Sequence, residues 1–194
     1  GVFRGVSDCI RGTLLIPPMP GRHYVMGVDL ARLRDYSVMV VMDQQARHVV
    51  YVERFNKISW ELQMHKIVQI AKRYNARVCM DSTGLGDPIV ERLQFSGVSI
   101  EPYKLTGTVA KQQLIDKLRV NIEEQNISYP ENPFTLPMLD ELRSYEYTFT
   151  EGGKIQYSSP RNKHDDTVIA LALANWVVDT IPNTAYHMRY MRGV

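Results

Sequence analysis

Three runs of β-branched and apolar residues, Tyr24–Leu30, Ser37–Asp43 and His48–Phe55, constrain this chain more than any other feature. The links between them, Ala31–Tyr36 and Gln44–Arg47, are short and polar. A parallel neighbour needs a crossover of roughly a dozen residues or more, so links this short predict antiparallel hairpins. Beyond Phe55 the rhythm changes. Ser59 can cap a helix whose inward face carries Trp60, Met64, Ile67, Ala71 and Tyr74 at helical spacing. Arg77–Asp81 reads as a short buried strand, Pro88–Phe95 as a helix, Val98–Lys104 as a strand and Val109–Gln125 as a helix. The order β-β-β-α-β-α-β-α predicts an α/β fold: a mixed sheet, three antiparallel strands followed by parallel ones, with helices on both faces. A right-handed crossover would lay Arg77–Asp81 parallel to the first strand.

Further along, Ile127–Pro130 is a short extended piece, and Thr135 is placed to cap a helix running through Leu142. Tyr145–Phe149 and Lys154–Ser158 read as a hairpin about Gly152-Gly153. Residues from Asp166 to Thr180 are apolar almost all round, which predicts a buried helix. Pro17, Pro18, Pro20 and Gly21 interrupt any regular element near the start. The expected organisation is therefore an arm or linker remnant over residues 1–22, one domain over 23–180 and a tail over 181–194. Asn126–Pro137 and the Gly152-Gly153 tip are expected to be the mobile loops. The tail is expected to be disordered or to dock on a partner.

At 194 residues, with 44% hydrophobic and 23% charged residues, the chain can bury one ordinary globular core. A formal net charge of +2 supplies no long-range field, so any nucleic-acid contact must rest on a local patch. Cys9 and Cys79 are isolated and form no Cys-x-x-Cys, which speaks for a reduced environment and against a zinc site. The longest apolar run, Val168–Ala174, is too short to span a bilayer, and no secretory leader pattern is expected.

Function is concentrated in four carboxylates. Asp29 ends the first strand, Asp81 ends the Arg77–Asp81 strand, and Asp165-Asp166 open the last helix. Each has an ordinary role open to it: Asp29 and Asp81 can begin turns, and either member of the pair can cap the helix. Together, in this strand order, they form a converging set. Carboxylates gathered at the edge of a core are costly to keep charged and repel one another, and divalent cations remove both costs. Magnesium or manganese suits oxygen donors and retains water. Two such ions can activate a water for attack on a phosphodiester and stabilise the leaving oxygen.

Three segments carry a resemblance. Gly27-Val-Asp-Leu-Ala with Asp35-Tyr-Ser-Val, Met80-Asp-Ser-Thr-Gly-Leu-Gly-Asp87, and Pro160-Arg-Asn-Lys-His-Asp-Asp166 before an Ala-rich helix are similar to the nuclease domain of the large terminase subunit of tailed bacteriophages. That domain is itself similar to RNase H and Holliday-junction resolvases. The resemblance runs from about Tyr24 to Thr180. It implies a divalent-metal-dependent endodeoxyribonuclease cutting concatemeric viral DNA during packaging, with Asp29, Asp81 and one of the final pair as metal ligands. Asp166 is the preferred direct ligand, with Asp165 as a second ligand or as a group that orients it. It also implies double-stranded DNA as substrate, an upstream ATPase motor, the small terminase and portal as partners, and the host cell cytoplasm as location. No Gly-x-x-x-x-Gly-Lys-Ser/Thr loop occurs here, so the resemblance is to the nuclease half alone.

DNA contacts are expected from Arg32, Arg34, Lys104, Lys111, Arg161, Lys163 and His164, since phosphate is gripped mainly by basic side chains. Lys117 and Arg119 lie in the same strand–helix unit as Lys104 and Lys111, although charges on a helix are often only solvated. Asp35 reads as a turn residue or a supporting carboxylate. Two other functions fit the residues: a resolvase- or transposase-like nuclease on the same fold, and a non-catalytic DNA-binding or docking module.

Overall fold

A computed structural model describes residues 1–30, 36–83, 87–149, 152–153, 155–160 and 164–180. Strands β1 (Tyr24–Asp29), β2 (Ser37–Asp43) and β3 (His48–Phe55) form the antiparallel meander expected of their short links. Helix α1 (Trp60–Tyr74) starts where Ser59 accepts the Leu62 N–H at 3.3 Å and stops at Asn75, whose left-handed conformation closes the last turn. It carries the chain over the sheet to β4 (Arg77–Asp81), which pairs parallel with β1. Helix α2 (Asp87–Phe95) leads to β5 (Ile100–Tyr103), parallel to β4. The five-stranded sheet has the order β3-β2-β1-β4-β5, so β1 and β4, which end in Asp29 and Asp81, are interior neighbours.

Alternation along the strands divides the core into two. Tyr24, Met26, Val28, Met39, Val41, Val78 and Met80 pack with α1 and α2 on one face. Val25, Val38, Val40, Met42 and Cys79 pack on the other face against α3 (Gly107–Glu123), α4 (Leu136–Ser144) and α5 (Asp166–Val177). In β3 the phase slips beside Val41/Met42, and Val49 and Val52 fall on one face with Val50 on the other. Helix α5 lies directly on β1. A Cβ added to Gly27 would come within 1.9 Å of the Ala170 carbonyl oxygen and 2.4 Å of the Ala174 nitrogen, so only glycine permits this approach. Strands β6 (Glu146–Phe149) and β7 (Ile155–Ser158) make the separate hairpin expected.

Two expectations need correcting. The arm of residues 1–22 is built into the domain: Val2, Phe3, Val6 and Cys9 join the α5-side core. Backbone bonds Val2 N–H to Tyr145 O, Arg11 N–H to Tyr129 O and Ile16 N–H to Val50 O, each 2.9 Å, sew it to the rest. Nor is Asn126–Pro137 a loose loop. Ser128 is bonded to both Arg47 and Val49 of the β2–β3 hairpin region, Tyr129 is fully buried, and the Tyr129 hydroxyl donates to Val6 O at 2.8 Å. Thr135 precedes α4 as expected, but its hydroxyl donates to Pro130 O at 2.7 Å instead of accepting from the helix. Residues 181–194, read as a tail, lie outside the described residues. No described helix is long and apolar enough to cross a membrane.

Candidate active site

The register of the sheet assembles the site. Asp29 stands opposite Val38, and Asp81 opposite Tyr103. The parallel pairing of β1 and β4 ends with Val28 beside Met80, so Asp29 and Asp81 come one step later on neighbouring strands. Both share the face of Val25 and Cys79, the face covered by α5. The first turn of α5 brings Asp165 and Asp166 to the same end of the sheet. Asp29 is half-buried, and its carboxyl is held well above the ordinary carboxylate range. Burial is the main cause, followed by the charges of Asp166, Asp81 and Asp165, with Lys111 opposing them. All four sequence-predicted aspartates therefore belong to one electrostatic cluster.

The cluster's surroundings were only partly foreseeable. Asp165 receives the Lys111 ammonium at 2.8 Å and the Tyr145 hydroxyl at 3.3 Å. Asp166 accepts the Tyr36 backbone N–H at 3.3 Å and lies 3.6 Å from His164 Nδ1. Although Asp165 occupies the cap position of α5, its side chain makes no capping bond. The cap comes from another helix. Glu141 of α4, 8% exposed, accepts the Thr167 N–H at 2.9 Å and also the Thr167 hydroxyl. Burial raises the Glu141 carboxyl and Asp166 adds to this, while the Thr167 bonds and Arg54 oppose it. Tyr36, Glu141 and Tyr145 escaped the reading of the sequence because each sits far from its partner in the chain. The only local hint was a carboxylate on the apolar face of a predicted helix, at Glu141 beside Leu142.

The basic residues divide. Lys104 is exposed just beyond β5. Lys111 faces Asp165. Lys117 is occupied by the Trp176 carbonyl at 3.0 Å and Asp179 at 3.5 Å, and Arg119 by Glu123 and Asp116. His164 is half-exposed, with its ring edge-on to Tyr36 at 5.7 Å. Arg32, Arg34, Asp35, Arg161 and Lys163 lie outside the described residues, as do Gly84–Gly86.

The donor set fits a hard divalent cation, because every acidic group in the cluster offers carboxylate oxygen and one of them is desolvated. Among the described residues no three His, Cys, Asp or Glu side chains close on a single point.

Comparison with known proteins points the same way. The family model described as terminase RNaseH-like domain matches residues 26–175. The chain is 33% identical over 182 residues to the terminase large subunit of Thermus virus P23-45, covering 89% of this chain and 37% of that protein. It thus spans little more than a third of the length of the curated relatives it matches. Among solved structures, the large terminase nuclease of thermophilic phage G20c with bound magnesium superposes with a TM-score of 0.82 at 31% identity, covering 91% of this chain and 96% of that one. The same nuclease has also been solved with cobalt and with zinc. The nuclease domain of the large terminase subunit of bacterial virus Sf6 shares the fold alone, at 9% identity and a TM-score of 0.72 over 90% of this chain and 98% of that one.

Proposed function

The chain belongs to the terminase RNaseH-like domain family, and from that premise we propose that it is a divalent-metal-dependent endodeoxyribonuclease that cuts concatemeric viral DNA during genome packaging. The observation that carries the proposal is Asp29, its carboxyl desolvated at the end of a central strand and surrounded by Asp81, Asp165 and Asp166. A carboxylate kept there without a cation is electrostatically unfavourable, so the arrangement is one that a cation stabilises. Asp29 would be shared between two magnesium or manganese ions, with Asp81 and Asp166 each completing one site. Bound ions of this kind supply activation of water and stabilisation of the leaving oxygen.

The remaining side chains orient these ligands. The Tyr36 N–H and the His164 ring fix Asp166, and Lys111 with Tyr145 holds Asp165 beside it. Asp165 is on this reading the orienting member of the pair, with its charge partly taken up by Lys111. Double-stranded DNA would be held by Lys104, Arg32, Arg34, Arg161, Lys163 and His164 through phosphate, with little reading of base edges. Because the matched relatives are longer than this chain, the same proposal includes an ATPase motor in the full-length protein. The small terminase and portal would be its partners in the host cytoplasm.

Plasmid nicking tests the proposal. Cleavage is expected with Mg²⁺ or Mn²⁺, to be lost in EDTA, and to leave ends scattered over unrelated sequences. Full cleavage in EDTA would rule out the metal mechanism. A strong preference for branched over linear duplex would favour a resolvase-like nuclease, and absence of divalent-ion binding by calorimetry a non-catalytic module.

A further inference from the structure

At the same end of the sheet stands a cation, Arg54, with no ion-pair partner among the described residues. Arg54 of β3 pairs with Val38 of β2, and Val38 pairs with Asp29 of β1. Directly opposed residues in antiparallel strands share a face, so Arg54 and Asp29 stand on the α5 side two strands apart, roughly 10 Å. The Arg54 guanidinium carbon lies 3.6 Å from the centre of the Tyr36 ring, and Tyr36 is the residue whose N–H reaches Asp166. Among the described residues Arg54 has no hydrogen-bond acceptor or ion-pair partner, and its Nε is buried without one. The Glu141 carboxylate feels the Arg54 charge and takes both Thr167 bonds on one oxygen, Oε2, with no ion pair between Glu141 and Arg54.

Arg54 opens onto a groove of about 510 Å³, lined also by His164 and Glu141 and by Pro133, Leu136 and Pro137 at the start of α4. Asp140 on its rim is 74% exposed and lies 3.7 Å from Arg143. Stacking on an aromatic face leaves the in-plane N–H edge of a guanidinium available, and that edge matches the paired oxygens of a phosphate. An unpaired, half-buried guanidinium is costly, which is the condition under which an incoming anion binds well.

We propose that Arg54 grips a DNA phosphate close to the scissile one, and that the groove between β3 and α4 is the track of the cut strand beside the carboxylates. This rests on the endonuclease reading. Arg54 is a positioning residue here, acting on the backbone of the substrate and on no reacting atom.

The test is cleavage of several unrelated duplexes with Mg²⁺ or Mn²⁺ across a range of salt. Arg54→Gln should lower kcat/KM about tenfold, mostly through KM and equally on every sequence. It should also flatten the dependence of log(kcat/KM) on log salt by about one unit, the loss of one phosphate contact. Arg54→Lys should keep the salt slope and recover part of the rate, while metal affinity by calorimetry and the melting temperature stay at wild-type values. If Arg54→Gln cuts with wild-type KM and salt slope, the inference fails and the endonuclease reading stands. If it loses metal affinity or kcat with the slope unchanged, Arg54 is only a brace for Tyr36 and Asp166, and the inference again fails. A wild-type protein that cuts no DNA removes the endonuclease reading itself, and this inference with it.

Discussion

Along β1, Tyr24, Met26 and Val28 face α1 and α2, while Val25, Gly27 and Asp29 face α5. The two faces use alternate residues of one strand and are packed in different ways. On the first, Met26, Met39, Met64 and Met80 fill the space with long, adaptable side chains. On the second, Gly27 brings the backbone of β1 against Ala170 and Ala174, with no side chain between. Gly27 lies two residues before Asp29, and Ala170 one helical turn after Asp166. The rigid contact therefore sits immediately behind the carboxylates and sets their relative position. Adaptable packing suffices where a face only has to be dry. Backbone contact is used where two charged groups must be held in register.

The largest effect should come from the charged end of the second face. Asp29→Asn is expected to lower DNA cleavage more than about 100-fold, since loss of even an outer partner of a metal ligand costs roughly 10–100-fold. The same change should raise the melting temperature of the metal-free protein by a few degrees. The sign comes from the raised Asp29 carboxyl. The unfolded chain has the ordinary value and the folded one a higher value, so between the two the folded state holds the extra proton. Stability of the metal-free protein should then fall as pH climbs through the folded value, and Asp29→Asn should remove that slope. Nicking assays and thermal melts in EDTA at several pH values check both. A variant that is inactive but less stable than wild type would mean that Asp29 is held by hydrogen bonds and not strained by its neighbours.

Next in size is a matched pair across the strand. Gly27→Ala places a Cβ in the backbone of α5, so about 3 kcal/mol or more of stability should be lost and cleavage should fall with it as α5 is displaced. Met26→Ala, one residue earlier on the other face and fully buried, should cost about 2–5 kcal/mol by leaving a cavity. Its folded fraction should still cut at the wild-type rate. Denaturant melts combined with activity at a temperature where both variants are folded separate the cases. Equal loss of activity in the two would show that the faces do not differ in the way described.

The hairpin meander, the Ser59 cap and the strand-end aspartates were legible in the sequence because each is a local pattern: short polar links, an oxygen before an amphipathic run, a carboxylate closing an apolar strand. The late helix was legible from its unbroken apolar composition, and its burial comes with that. What escaped is non-local. Tyr145 and Asp165 are 20 residues apart, Glu141 and Thr167 are 26, and Tyr36 and Asp166 are 130, so no spacing rule connects them. Arg54 escaped for a further reason. The slip in β3 beside Val50 shifts the alternation, and the face of Arg54 can be assigned only once the pairing with β2 is known. The start of the chain reads as an arm because of the prolines after it, whereas the apolar Val2, Phe3, Val6 and Cys9 were the better guide.

The smallest effect concerns how α5 is held from outside the strand. Glu141 caps it in trans, and its carboxyl is raised above the ordinary range chiefly by burial. That direction means the folded environment disfavours the charge, even though the amino end of a helix ordinarily attracts one. Glu141→Gln keeps an acceptor for Thr167 and removes the charge, so its stability at neutral pH should be equal to wild type or higher by up to about 1 kcal/mol. Glu141→Ala removes the acceptor as well and should cost about 0.5–2 kcal/mol, the ordinary worth of a cap. The gain in Glu141→Gln should vanish as pH falls through the raised folded value, because wild type is then protonated too and the two side chains become near equivalents. Thermal melts of the three proteins at neutral and acidic pH check the order. If Glu141→Gln is as unstable as Glu141→Ala at neutral pH, the carboxylate charge itself is needed to hold α5. The α5 face would then be fixed by electrostatics at its end as much as by the Gly27 contact behind it.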